Sequence, residues 1–218
     1  MHPEAVLQSL RHVWVTLDRL KVPMAVTGGL ALATWKHVRA TRDVDLLVDL
    51  GGNNLDQLIE HLRAAGLRPK RTPPVTSLGE LDVVQMLYEP PEAFIELQID
   101  LLLAKSEYHR EALRRRVPTQ LPNLGIGIAV LACEDLILHK LLAGRLIDRA
   151  DAAALLRANR DSLDWDYLAR WARQLYVTDD LAQSREEAFP SGATDCRERA
   201  GPEQGDGPAK SRPHLRGW

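Results

Sequence analysis

The chain has 218 residues, of which 45% are hydrophobic, so it can bury the core that one ordinary domain or two small ones require. Its 28 basic and 30 acidic side chains give a formal charge of -2, which excludes a strong overall attraction to nucleic acid or to an anionic membrane. The two cysteines, Cys133 and Cys196, lack the spacing of metal ligands or of a disulfide framework and favour a reducing compartment. No run is long and apolar enough to span a bilayer, so we expect a cytoplasmic protein without a membrane partner.

The first half of the chain alternates between helical and strand patterns. Apolar residues at helical spacing between Val6 and Leu20 predict an amphipathic helix, and PMAVTGG predicts a short buried strand that ends in a turn. A short helix is expected to begin at Gly28 and Gly29, and DVDLLVDL predicts the next strand. A capped helix is expected in NNLDQLIEHLRAAG, whereas DVVQMLY and AFIELQIDLLL should pair as an antiparallel hairpin.

After residue 105 the pattern becomes mostly helical, with one further strand candidate in LGIGIAVL. The helical segments are SEYHREALRRRV, CEDLILHKLLAG, DRADAAALLRANR and DWDYLARWARQL. From residue 184 onward, Gly, Pro and charged residues replace branched apolar ones, a composition that does not offset the entropy lost on ordering. We therefore expect a core at residues 1–105, a mostly helical subdomain at 106–183 and a disordered tail at 184–218.

Carboxylates fall on one face of each of two predicted strands. Strand alternation in DVDLLVDL places Asp43 and Asp45 on one face and the branched apolar residues on the other. Two carboxylates about 7 Å apart along a strand repel each other unless they share a cation, and Mg²⁺ prefers such oxygen ligands. In IELQIDLLL the same alternation leaves Glu96, Gln98 and Asp100 together. Asp100 is the candidate for a third ligand and for the base that accepts a hydroxyl proton, with Glu96 as the alternative ligand.

The glycine pair supplies a complementary feature. A helix that begins at Gly28 and Gly29 offers unpaired N–H groups and the positive end of its dipole, and a triphosphate can approach a backbone without side chains. Phosphates held at the helix start and a metal held at the strand would then meet on one nucleoside triphosphate.

These residues together resemble a known pattern. The glycine pair followed by RATRDVDLLV is similar to the Gly-Gly, spacer, Arg-x-Thr-x-Asp-hydrophobic-Asp motif of the polymerase-beta-like nucleotidyltransferase superfamily. The resemblance implies an α/β (α+β) core with a mixed sheet and flanking helices, followed by a helical C-terminal subdomain. It also implies that Gly28 and Gly29 hold the triphosphate, and that Asp43, Asp45 and Asp100 are the catalytic, magnesium-binding carboxylates.

Further residues are assigned by the same resemblance. Arg39 and Thr41 would shape the approach to the aspartate strand. The segment LACEDLILHKLLAGRLIDRADAAALL resembles a second block of the branch that contains abortive-infection toxins, in which Lys140 matches a nucleotide-contacting lysine. A lysine at this position is equally consistent with a stem that lies over the core. The block ends in an Arg-x-x-Asp-x-x-Asp pattern, for which a structural ion-pair network is the alternative interpretation. The matching residues are Arg145, Asp148 and Asp151.

The implied reaction is attack of an acceptor hydroxyl on the α-phosphate of a nucleoside triphosphate, with release of pyrophosphate. RNA, and tRNA first, is the expected acceptor in a toxin-type enzyme, because a basic helix face would bind phosphates. Protein side chains and aminoglycosides are the other acceptors, the last in an antibiotic nucleotidyltransferase. A catalytically silent nucleotide-binding or interaction module, paired with an antitoxin, is the alternative function. The basic residues in question are Arg110, Arg114, Arg115 and Arg116.

Overall fold

The computed structural model describes residues 3–78, 81–91 and 93–190, which form one mixed sheet flanked by helices. The strands are β1 (Met24–Val26), β2 (Asp43–Val48), β3 (Arg68–Pro69), β4 (Val75–Leu78), β5 (Leu81–Tyr88), β6 (Leu97–Leu103), β7 (Val117–Gln120) and β8 (Gly127–Val130). The helices are α1 (Pro3–Arg19), α2 (Gly28–Thr34), α3 (Leu55–Ala64), α4 (Glu107–Arg114), α5 (Cys133–Ala143), α6 (Leu146–Asn159), α7 (Trp165–Gln174) and α8 (Thr178–Ala188). A single 3-10 turn, Arg160–Ser162, follows α6.

The strand order in the sheet is β3-β5-β6-β2-β1-β8-β7, and β4 also pairs with β5. Strands β2 and β6 are parallel, whereas β1 is antiparallel to β2 and β5 is antiparallel to β6. The predicted mixed sheet, its flanking helices and the β5–β6 hairpin are therefore confirmed. The parallel β2–β6 pair lies at the centre, and it joins the two strands on which the candidate carboxylates were predicted.

One face of the central strands is apolar and is covered by helices. Leu46 of β2 and Ile99 of β6 are fully buried on this face. Helix α1 packs on the same face, where the ring of His12 stacks on Tyr88 with centroids 4.3 Å apart. Helix α3 begins as predicted, because the side chain of Asn54 accepts hydrogen bonds from the first backbone N–H groups of the helix. The opposite face of β2 and β6 carries half-buried polar residues at alternate positions.

Two expectations for the second half of the chain were wrong in detail. The helix predicted in SEYHREALRRRV ends at Arg114, and Val117 begins β7 instead. Pro118 can lie in β7 because this strand is at the edge of the sheet, where a residue without an N–H group does not interrupt the hydrogen bonds between inner strands. The predicted tail begins inside α8, whose Leu181 and Ala188 are buried, while residues 191–218 lie outside the described part of the chain.

The sheet also contains strands from beyond residue 105. Strand β8, predicted in LGIGIAVL, pairs in parallel with β1, and β7 adds to it antiparallel. The division at residue 105 stays a prediction, but it does not coincide with an edge of the sheet. Within the described ranges, no helix is long and apolar enough to cross a membrane.

Candidate active site

The structure brings the three predicted carboxylates to one face of the sheet. Asp45 of β2 lies directly opposite Asp100 of β6 in the parallel register, and Asp43 lies opposite Gln98. The alternative third carboxylate, Glu96, precedes β6 and accepts hydrogen bonds from the guanidinium of an exposed arginine at distances down to 2.6 Å. The register therefore places Asp100, rather than Glu96, beside Asp45.

The electrostatics of this cluster favour a bound cation. Burial, followed by repulsion from Asp43 and Asp100, raises the pKa of Asp45 from its ordinary value of 3.8 to about 7. Burial also raises the pKa of Asp100, although hydrogen bonds from two glutamines partly oppose this effect. Asp45 and Asp100 are therefore harder to ionise than free carboxyls, and a cation beside them would relieve the repulsion.

Neighbouring polar side chains hold the carboxylates in place. The amide Nε2 of Gln98 donates to both oxygens of Asp100, at 2.8 and 2.9 Å. Gln85, opposite Asp100 on β5, donates to the same carboxylate at 3.3 Å. The hydroxyl of Thr41 donates to Asp43 Oδ1 at 2.7 Å. Thr41 thus contacts the first aspartate directly, which the motif alone did not indicate.

The glycine pair makes room for these same side chains. A Cβ atom on Gly28 would lie 1.9 Å from Oδ2 of Asp45, and a Cβ on Gly29 would lie 2.6 Å from Cβ of Thr41. Gly28 also has a φ of +61°, a conformation that side chains disfavour. The sequence pattern indicated that both glycines allow a phosphate to approach the backbone. The structure shows that they also allow α2 to begin directly against the strand that carries the aspartates.

Arg39 belongs to an ion-pair network centred on Asp151 of α6. Its Nε lies 3.1 Å from Asp151 Oδ2, and Nε2 of His37 lies 3.0 Å from Oδ1. The ammonium of Lys140 approaches the same carboxylate at 2.8 Å. Asp151 therefore joins the loop before β2 to helices α5 and α6, and the structure places the Arg39 guanidinium on this carboxylate.

Lys140 and Arg145 differ sharply in exposure. Lys140 is only 5% exposed and also bonds to Asp148 at 2.9 Å, so its charge is paired twice inside the protein. The side chain of Arg145 is 71% exposed, although it too binds Asp148. Both cations lower the pKa of Asp45, so both act on the carboxylate cluster. This arrangement supports a structural role for Lys140 and leaves Arg145 as the cation that faces solvent beside the aspartates.

Replacement of Lys140 by methionine tests that interpretation. The variant keeps the apolar stem but leaves Asp148 and Asp151 without the ammonium, and breaking a buried ion pair costs about 3–5 kcal/mol. We expect urea denaturation to show a free energy of unfolding lower by about 3 kcal/mol. The control is Arg63→Met, which removes an exposed pair with Glu60 and should cost less than about 1 kcal/mol. Unchanged stability with weaker nucleotide binding would instead support direct nucleotide contact by Lys140.

The arginines proposed to bind RNA do not form one free basic surface. Arg115 is turned toward α5, where it binds Glu134 at 2.9 Å and Asp135 at 3.2 Å. Arg114 binds Glu111 of its own helix. Helix α4 also follows the C-terminal end of β6, whereas Asp43 and Gln98 lie near the starts of β2 and β6. The basic helix face is therefore weaker support for an RNA site than the sequence indicated.

The side chains of the cluster can be compared with the ligands that the expected magnesium ion requires. Within residues 3–78, 81–91 and 93–190, no group of three or more His, Cys, Asp or Glu side chains is arranged to hold a metal ion. Magnesium nevertheless needs few protein ligands, since one or two carboxylates usually bind it together with waters and substrate phosphates. Asp43 and Asp45 are neighbouring hard-oxygen donors whose mutual repulsion is evident in the pKa of Asp45. These two aspartates therefore fit the role of the protein ligands in such a magnesium site.

The mixed sheet, with carboxylates on two adjacent parallel strands, agrees with the nucleotidyltransferase motif in the sequence. A family model described as "Uncharacterised nucleotidyltransferase" matches residues 4–186, and the chain belongs to this family. The superfamily indicated by the glycine and aspartate motif is thereby confirmed, while the toxin branch stays a prediction. No curated protein sequence matches the chain.

One solved structure shares the fold, and others are similar to a lower degree. The solution structure of the antibiotic-resistance factor ANT(2'')-Ia is similar with a TM-score of 0.51 and 14% identity, over 84% of this chain and 98% of that chain. A crystal structure of ANT(2'')-Ia with adenylyl-2''-tobramycin gives 0.43 and 16%, over 83% and 97%. An antigenic nucleotidyltransferase-like protein from Paracoccidioides brasiliensis gives 0.45 and 17%, over 84% and 96%. At these identities the likeness concerns the fold alone.

Proposed function

We propose that this protein is a magnesium-dependent nucleotidyltransferase that transfers a nucleoside monophosphate from a nucleoside triphosphate to an acceptor hydroxyl. The observation that carries the proposal is the direct pairing of Asp45 with Asp100 across β2 and β6, with Asp43 on the same face. Membership of a nucleotidyltransferase family supports the same reaction class. The triphosphate would lie at the start of α2, beside Gly28 and Gly29.

In the proposed reaction the acceptor oxygen forms a bond to the α-phosphorus, the bond from this phosphorus to the oxygen that bridges to the β-phosphate breaks, and pyrophosphate leaves. The proton of the acceptor hydroxyl passes to the carboxylate of Asp100, which Gln98 and Gln85 hold in place. Asp43, oriented by Thr41, and Asp45 would hold magnesium. Bound magnesium supplies Lewis-acid polarisation of the phosphoryl oxygens and offsets the negative charge of the triphosphate.

We propose RNA, and tRNA first, as the acceptor, in keeping with the resemblance of the second motif block to toxin nucleotidyltransferases. An antitoxin would then be the protein partner. Arg110 and Arg114 lie on the exposed side of α4, where phosphate groups at the surface can reach them, although Arg114 already pairs with Glu111. An aminoglycoside is the second candidate, because a cluster of three carboxylates attracts a polycationic acceptor and the fold is shared with an antibiotic-resistance factor.

Purified full-length protein incubated with magnesium and each α-labelled nucleoside triphosphate tests the proposal. We expect label to enter tRNA in a mixture that also offers proteins and aminoglycosides, with pyrophosphate released in equal amount. The Asp100→Asn variant should bind the nucleotide and transfer nothing, because it lacks the proton acceptor. Label in an aminoglycoside or a protein would overturn the RNA acceptor alone. Nucleotide binding without transfer to any acceptor would support the silent module and overturn the proposed function.

A further inference from the structure

A chain of hydrogen bonds crosses the polar face of the sheet from the end of β3 to Asp100. The residue after β3 is Lys70, whose backbone N–H donates to the carbonyl of Gln85 at 2.8 Å. Its side chain extends across β5, and its ammonium donates to Oε1 of Gln98 at 2.5 Å. Gln98 in turn donates through Nε2 to both oxygens of Asp100. Lys70 thus reaches the carboxylate through one intervening amide.

The chemistry of these groups determines which atom donates and which accepts in each of these hydrogen bonds. A lysine ammonium has three donors and no acceptor, so the oxygen of the Gln98 amide must face Lys70. The NH₂ group of the same amide must then face Asp100. Without Lys70 the amide could rotate by half a turn and bring its oxygen against the Asp100 carboxylate, where two acceptors repel. The ammonium therefore fixes the orientation of the amide that holds Asp100.

The exposure of Lys70 argues against a role in the core. Lys70 is exposed, unlike the buried Lys140, and its ammonium binds Gln98 on the polar face of the sheet. Arg68, two residues before Lys70, forms an ion pair with Glu96. Because the Glu96 carboxylate is already paired, the Lys70 ammonium donates to Gln98 instead.

We propose that Lys70 and Gln98 are positioning residues for Asp100, with Lys70 fixing the Gln98 amide and Gln98 fixing the carboxylate that accepts the proton. This inference rests on the proposed function. Neither residue touches the reacting atoms. Their effect is to hold Asp100 where an acceptor hydroxyl can reach it, and displacement of a reacting group by about 1 Å can cost a hundredfold in rate.

Replacement of Lys70 by methionine tests the proposal by removing the ammonium while keeping the stem. We expect kcat to fall about tenfold and KM for the nucleoside triphosphate to change less than about twofold, because the proton acceptor is disturbed and the nucleotide site is not. Lys70→Arg keeps a pure donor and should restore most of kcat. The matched control is Lys105→Met, since Lys105 is also exposed and binds an aspartate of β5, and its kcat should equal that of the parent. A Lys70→Met enzyme with the parent kcat overturns the proposal.

A second variant acts on the amide itself. Gln98→Glu keeps the size of the side chain but places a carboxylate against Asp100, and we expect kcat to fall about a hundredfold. Thermal unfolding should be measured alongside, so that loss of folded protein is separated from loss of turnover. A Gln98→Glu protein that is folded and fully active contradicts the positioning role.

Spectroscopy makes the inference independent of the proposed reaction. The side-chain NH₂ resonances of Gln98, assigned by their loss in Gln98→Glu, should shift in Lys70→Met and stay in place in Lys105→Met. If no acceptor is ever labelled, the proposed function fails while this measurement still reports on the hydrogen-bond chain. Resonances of Gln98 that do not respond to Lys70→Met overturn the inference whatever the reaction is.

Discussion

Asp45→Asn should abolish nucleotidyl transfer and, at the same time, stabilise the metal-free protein. The substitution removes one of two neighbouring magnesium donors, so magnesium should no longer strengthen nucleotide binding in titration calorimetry. It also removes the charge that Asp43 and Asp100 repel. Because an amide fills nearly the same volume as a carboxyl, no cavity forms and the fold should persist.

The gain in stability should depend on pH. The pKa of Asp45 in the folded protein is about 7, above its ordinary value of 3.8, so the folded chain holds this proton more tightly than the unfolded chain. The stabilisation from the protonated group is therefore complete below about pH 4 and is lost as the pH rises toward 7. Above that pH the loss corresponds to at most about 4 kcal/mol, which Asp45→Asn would recover.

Urea denaturation of parent and variant at pH 5 and pH 8, without magnesium, measures this difference. The variant should exceed the parent by more at pH 8 than at pH 5. Asp49→Asn is the control, because Asp49 follows the same strand and only caps a turn through Gly51. If Asp45→Asn keeps the magnesium-dependent nucleotide affinity of the parent, Asp45 is not a metal ligand.

Gly28→Ala should reduce transfer by about a hundredfold or more, because the added methyl group would occupy the position of the Asp45 carboxylate. Relief requires Asp45 to rotate away, which separates its carboxylate from Asp100, or the turn between β1 and α2 to open, which displaces the start of α2. The positive φ of Gly28 adds a conformational cost of about 1–2 kcal/mol for any side chain.

Binding and rate measurements separate these effects. Gly52→Ala is the control, since a Cβ there meets no heavy atom of the described residues within 4 Å, and it should leave transfer unchanged. Gly28→Ala should weaken triphosphate binding more than adenosine binding, because in the proposed binding mode only the phosphates lie at the start of α2. Equal loss for both ligands would indicate a disturbed fold, and a fully active variant would show that Asp45 need not occupy its observed position.

Local patterns were sufficient to place the aspartates on their faces. Strand alternation alone put Asp43 and Asp45 on the polar side of β2 and Asp100 on the polar side of β6, as the structure shows. The same pattern placed Gln98 beside Asp100. It did not reveal what Gln98 does, because its role depends on Lys70, which reaches it across an intervening strand.

Contacts between segments that are distant in the sequence could not be predicted from local patterns, for the same reason. The register that sets Asp45 against Asp100, and the approach of Arg39 to Asp151, are fixed by how strands and helices pack, and no local spacing encodes them. The β7 strand was missed because its short, proline-containing segment follows a strong helical pattern, and pairing with β8 outweighs local propensity there.

The pairing of β8 with β1 limits how the chain can be divided. A fragment that ended at residue 105 would keep all three aspartates but would lose β8, and β1 would then present an open edge of unpaired N–H and C=O groups. Exposed strand edges of this kind recruit other chains. The carboxylate cluster is therefore inseparable from the second half of the sheet, and its strands would associate with copies of themselves if expressed without it.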